Sequence, residues 1–136
     1  MRPLLIDTNT YSAFKRGDSR IQSVFEHVEV LGMSPIVIGE LLVGFTGGTQ
    51  VKRNREELQS FLERPRIKIF NITTDTAHFF NQVHSALKRK GKPIPTNDIW
   101  LAAQALEQGC VMCTYDKYFL EVEGLIVGNS LESLVF

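Results

Sequence analysis

The sequence predicts an α/β fold, a parallel sheet of short strands with helices on both faces. Two observations carry that expectation. Short apolar runs alternate along the chain with longer segments of helical period. The runs are apolar throughout instead of alternating with polar residues, as strands covered on both faces are. With 136 residues the chain has room for one domain, spanning residues 1–136.

Leu4-Leu5-Ile6 is the first strand, and Asp7-Thr8-Asn9 after it reads as a helix start. Ile21, Val24, Phe25 and Val28 recur on one face of a helix. Val30 to Met33 is the second strand. Ser34-Pro35 then supplies an N-cap and a proline at the first helical position, opening a helix to about Phe45. Gly47-Gly48 ends it. A polar helix runs from about Thr49 to Leu62, and Ile67 to Phe70 is the third strand. Thr74 starts a long helix that ends near Lys90, before Gly91. After the Pro93 and Pro95 loop, Thr96 is expected to cap a helix running to Gln108, closed by Gly109. Val111 to Thr114 forms strand four and Leu125 to Val127 strand five. Phe79, Phe80, Val83 and Leu87 lie along one helix and read as core.

Composition narrows the function classes. Fifteen Lys and Arg balance fifteen Asp and Glu, and 43% of residues are apolar. A disordered chain would need few apolar residues and a large net charge. Neutrality excludes a globally basic nucleic-acid arm but not a nucleic-acid enzyme, because the two signs can occupy different faces. The longest apolar stretches are cut by Gly39, Glu40 and Gly44, too short to span a membrane. The run from Pro3 to Ile6 is too short for a signal peptide, so a cytoplasmic location is expected. Cys110 and Cys113 have C-x-x-C spacing, but they fall in a strand-like segment with no second cysteine pair. They read as buried structural thiols.

Four acids stand where structure alone does not demand them. Asp7 and Asp116 follow strands, at the carboxyl edge where open α/β sheets bind ligands. Asp7 reads equally as a helix cap, and Asp116 as an Asx-turn residue. Glu40 is the one ionisable residue between Ser34 and Phe45, with Ile36, Val37, Val43 and Gly44 at helical spacing. It is therefore expected on an apolar face with a cation nearby. Asp98 has Ile94, Pro95, Leu101 and Ala102 around it, and its place in a first turn also suits the helix dipole. Two carboxylates about 5 Å apart repel by about 3 kcal/mol at an effective dielectric near 20. Four that converge call for a divalent cation, and all-oxygen ligation points to Mg²⁺ or Mn²⁺.

The segments Leu4 to Asn9, Ser34 to Gly44, Pro95 to Ala103, Thr114 to Phe119 and Gly124 to Val127 together resemble the PIN-domain ribonucleases. The similarity is to the VapC-type toxins of toxin–antitoxin pairs, and it covers essentially the whole chain in order. It implies a three-layer α/β/α sandwich whose acids hold Mg²⁺ or Mn²⁺ and hydrolyse RNA. Asp7, Glu40, Asp98 and Asp116 fall on the family's acidic quartet, with Asp7 and Asp98 as primary metal ligands and Glu40 and Asp116 as secondary ones. Asn9 and Thr114 fall on accessory polar positions. Val37 departs from the pattern, since a hydroxyl residue is common three before the glutamate. The resemblance also implies a homodimer and a cognate antitoxin.

RNA needs basic groups beside an acidic pocket. Lys15 and Arg16 follow Asp7 closely, and Lys88, Arg89, Lys90 and Lys92 precede the loop to Asp98. A solvated helix end explains the second group as well. The expected target is a loop in a structured RNA. Two other classes compete. An aspartyl-phosphate phosphatase with Asp7 as nucleophile would want a second acid where Asn9 stands. A non-catalytic nucleic-acid-binding regulatory domain would gain nothing from four such acids.

Overall fold

The computed structural model describes residues 2–134; residues 1, 135 and 136 of the expected domain lie outside the described residues. Five parallel strands form one sheet in the order β3-β2-β1-β4-β5. They are β1 (Leu4–Ile6), β2 (Leu31–Met33), β3 (Ile67–Ile69), β4 (Val111–Cys113) and β5 (Val127–Gly128). The first crossover carries α1 (Thr8–Lys15) and α2 (Ser19–His27), and the second carries α3 (Pro35–Thr46) and α4 (Val51–Leu62). The third, from β3 back past β1 to β4, carries α5 (Thr74–Lys90) and α6 (Thr96–Gln108). Right-handed crossovers in opposite directions place these two sets of helices on opposite faces. A 3₁₀ turn (Lys117–Glu121) and α7 (Leu131–Leu134) complete the described residues.

Local chemistry sets most boundaries where the sequence puts them. The Ser34 side chain accepts from the Ile36 N–H with Pro35 at the first position of α3, and Gly91 and Gly109 close α5 and α6 in the left-handed conformation. Three expectations change. Thr96 is the first residue of α6, not its cap; Pro95 holds that position and offers no side-chain oxygen. Strand five moves to Val127–Gly128, because Val127 pairs with Met112 and Gly128 with Cys113. And β3 is not covered on both faces: as an edge strand it leaves Lys68 and Ile69 exposed.

The core lies along β1, where Leu4, Leu5 and Ile6 are fully buried between β2 and β4. Tyr11, Phe14, Phe25 and Phe61 pack on one face, with the Tyr11 and Phe61 rings edge to face at 5.2 Å. Val83 and Leu87 of α5 are buried, while Phe80 is partly buried with its ring 4.2 Å from that of Trp100. Cys110 and Cys113 are free and buried, and burial pushes both thiols up to about 12, which keeps them unreactive. Among the described residues no helix is long and apolar enough to cross a membrane.

Gly32 sits mid-sheet with no room for a side chain. A Cβ there would overlap the Phe70 ring and lie 3.2 Å from the Leu4 carbonyl oxygen. Gly32→Ala is therefore expected to cost about 1–3 kcal/mol in urea denaturation. An unchanged midpoint would mean that the Phe70 ring moves aside freely.

Candidate active site

The strand order reverses direction between β1 and β4, and such a switch opens a crevice at the carboxyl ends of the two strands. Because Ile6 pairs with Cys113, the residues that leave these strands, Asp7 and Thr114, emerge side by side. Thr114 Oγ1 donates to Asp7 Oδ2 at 2.6 Å and accepts the Asp116 N–H at 2.8 Å. One hydroxyl thus couples two of the acids. Asp7 Oδ1 also accepts the Thr10 N–H at 3.0 Å and the Thr10 hydroxyl at 2.6 Å. Asp7 is both the cap of α1 and a wall of the crevice, so its two readings describe one side chain.

A concavity of about 480 Å³ lies over this edge. Asp7, Glu40, Asp98 and Asp116 line it, with Asn9 on its rim. The Glu40 expectation needs correction in one respect: its side chain is exposed, not buried on an apolar face. Helix α3 buries only Val37 and Leu41, and Val43 is 75% exposed, so apolar neighbours there do not mean burial. Glu40 is held by the Thr8 hydroxyl at 2.6 Å and by the Asn97 amide at 3.4 Å. Asp116 accepts the Tyr118 N–H at 2.9 Å, so it caps the 3₁₀ turn while facing the concavity.

Asp98 registers the field of the others. Burial of this half-buried carboxyl, and then the negative charges of Asp116, Asp7 and Glu40, push it up to about 6. Among the described residues no three His, Cys, Asp or Glu side chains converge as they stand on one metal position. The donor chemistry nevertheless fits a hard divalent cation, because neither thiolate nor imidazole lines the concavity. Asp7 keeps capacity for such an ion. A carboxylate has about four acceptor sites, and its three hydrogen bonds leave one, on Oδ2.

The basic residues lie elsewhere. None of Lys15, Arg16, Lys88, Arg89, Lys90 and Lys92 lines the acidic concavity. Lys15 pairs with Glu57 at 3.1 Å and Lys90 with Glu121 at 3.1 Å. Arg16, Lys88, Arg89 and Lys92 are exposed. The structure adds four residues that the sequence did not single out for the site: Thr8, Thr10, Asn97 and Tyr118. Hydroxyls one and three positions after Asp7 were the available signal for the first two. Nothing local marked Asn97 or Tyr118, whose placement depends on α6 meeting α3 and the 3₁₀ turn.

Known proteins share this architecture. The PIN-domain family model matches residues 4–125. Ribonuclease VapC2 of Rickettsia felis is 25% identical over 130 residues, covering 92% of this chain and 96% of that protein. Ribonuclease VapC2 of Haemophilus influenzae is 29% identical over 114 residues, covering 82% and 85%. The crystal structure of VapBC2 from Rickettsia felis bound to a promoter DNA fragment superposes with a TM-score of 0.82 at 22% identity, covering 92% of this chain and 96% of that one. DNA-bound VapBC from Salmonella typhimurium gives 0.81 at 25%, covering 93% and 97%. A match that runs from β1 to beyond the 3₁₀ turn, on a sheet of this order with its crevice between β1 and β4, makes this chain a member of the PIN-domain family.

Proposed function

We propose that this protein is a divalent-metal-dependent endoribonuclease toxin of the VapC type, neutralised by a cognate antitoxin and acting as a homodimer in the cytoplasm. The observation that carries the reading is the meeting of four carboxylates, from four separate segments, in one concavity at the β1–β4 switch. Relatives named ribonuclease VapC and structural neighbours that are VapBC complexes support it. Asp7 and Asp98 are the primary ligands for Mg²⁺ or Mn²⁺, with Glu40 and Asp116 completing the site. The ion, when bound, supplies positive charge that eases deprotonation of an attacking water and offsets charge on the phosphoryl oxygens.

The chain's own groups do the rest. Thr10 and Thr114 fix the Asp7 carboxylate so that a single acceptor site faces the concavity. Thr8 and Asn97 orient Glu40, which would bind the ion directly or orient a water on it. The phosphatase alternative is weakened by the same geometry. Asp7 is 6% exposed with three of its acceptor sites engaged, a poor arrangement for a nucleophile.

The test is cleavage of structured RNA by the purified chain, with 5′ ends mapped. Discrete new ends in loops, lost with a chelator and restored by Mg²⁺ or Mn²⁺, are the expected result. Chelator-resistant cleavage would remove the metal from the reading. Mg²⁺ binding with no cleavage at all would favour a non-catalytic binding domain.

A further inference from the structure

The acidic concavity does not end at Asp116. A second concavity, of about 350 Å³, shares Asp116 and Tyr118 with it and continues past Lys117 toward Lys92 and Pro93. Tyr118 is therefore the wall between the two. The residue is 48% exposed, and its backbone N–H is anchored on the Asp116 carboxylate at 2.9 Å. Lys92 and Lys117 are both exposed on the far side of that wall. The other acid there, Glu121, pairs with Lys90 at 3.1 Å. The two concavities thus differ in charge. The first holds four carboxylates and no cation; the second shares one of those carboxylates, Asp116, and adds Lys92 and Lys117, whose charge no ion pair among the described residues consumes.

We propose that this second concavity is a nucleotide subsite, in which a base of single-stranded RNA stacks on Tyr118 and the adjoining phosphates contact Lys92 and Lys117. The proposal rests on the ribonuclease reading, since it assigns the path the strand takes beside the cut. Its physics is general. A phosphodiester strand lying over the acids alone would be repelled, and lysines one step along the groove offset that repulsion. An exposed aromatic ring accepts the face of any base and so gives affinity without demanding a sequence. It also favours unpaired loop nucleotides, whose bases are free to stack, over a duplex, whose bases are not.

The experiment measures binding apart from cleavage. The full chain carrying Asp98→Asn is titrated with a fluorescent single-stranded RNA of about ten nucleotides over a range of salt. Tyr118→Ala is expected to weaken binding about tenfold or more, and Tyr118→Phe to leave it unchanged. Lys92→Ala and Lys117→Ala should each lower the slope of log affinity against log salt by about 0.7. With an abasic strand of the same length, the Tyr118→Ala effect should vanish while the lysine effects persist, which a merely structural role for Tyr118 would not produce. Binding insensitive to all three substitutions would overturn the subsite, and cleavage by the unsubstituted chain would then leave the ribonuclease reading standing. The expected pattern in a chain that never cleaves would uphold the subsite and remove the ribonuclease. Failure to bind or cleave would overturn both.

Discussion

Asp98→Asn is expected to abolish RNA cleavage and, in the same substitution, to stabilise the metal-free protein. The loss of activity follows from removing a primary ligand and should reach at least about a hundredfold. The gain in stability follows from burial of the Asp98 carboxyl and then from the negative charges of Asp116, Asp7 and Glu40, which together push it up from its ordinary 3.8 to about 6. Below the ordinary value both folded and unfolded chains hold the proton, and the group costs nothing. As pH rises toward 6 the unfolded chain gives up its proton first, so stability falls, and above 6 the whole cost is present. A shift of that size corresponds to about 3 kcal/mol. Solvent screening of a half-exposed carboxyl reduces it to about 1–2 kcal/mol. With the charge removed, Tm at about pH 7.5 in chelator should rise by about 3–8 °C, and the gain should disappear near pH 4. Mg²⁺ should stabilise the unsubstituted protein more than the variant. Asp7→Asn gives a contrast, since it should lose activity and stability together. Its carboxylate accepts three hydrogen bonds in a buried setting, and an amide cannot reproduce them, at a cost of about 1–3 kcal/mol. Calorimetry on the two variants decides the matter. A destabilised Asp98→Asn at neutral pH would show that burial and the neighbouring acids do not disfavour the ionised Asp98 carboxyl.

Thr114→Val is expected to damage the site without removing any acid. The replacement has nearly the same shape, so packing against Cys113 and β1 is retained. What is lost is the hydroxyl that donates to Asp7 and receives the Asp116 N–H. A hydrogen bond to a buried carboxylate contributes more than a neutral one, and its former partners stay buried without replacement. The expected cost is about 2–3 kcal/mol in urea denaturation, with kcat/KM for RNA lowered about 10–100-fold, as when a group that orients a metal ligand is removed. Thr114→Ser keeps the hydroxyl and should recover most of the activity. Full activity in Thr114→Val would mean that Asp7 and Asp116 hold their positions without it.

The extent to which these features can be read from the sequence differs by element. Asp7 is legible as the end of the first strand because three fully apolar residues stop at it, whereas its cap and site readings weigh equally in the sequence. The bounds of α5 follow from Thr74 and Gly91, and the start of α3 from Ser34-Pro35. Glu40 is legible only in part. Its apolar neighbours place it on an apolar helix, but they do not say which face of that helix meets the sheet. The structure buries only Val37 and Leu41 and leaves Glu40 and Val43 outside. Lys15 and Lys90 are similar. Their proximity to the acids in sequence made them candidates for RNA contact, whereas Glu57 and Glu121 engage them in space.

By itself the sequence determined the alternation of strands and helices, the caps and glycines that bound them, and the placing of acids at those boundaries. Those are local matters, governed by backbone preference, capping and hydrophobic period within a dozen residues or so. Only the tertiary structure decided that β1 lies against β4, that the Thr114 hydroxyl joins that of Thr10 in holding Asp7, and that Tyr118 stands between the acidic concavity and one that adds Lys92 and Lys117. Asp7 and Thr114 are 107 positions apart. No local rule spans that separation, and strand order and register, set by how whole faces bury against one another, close it.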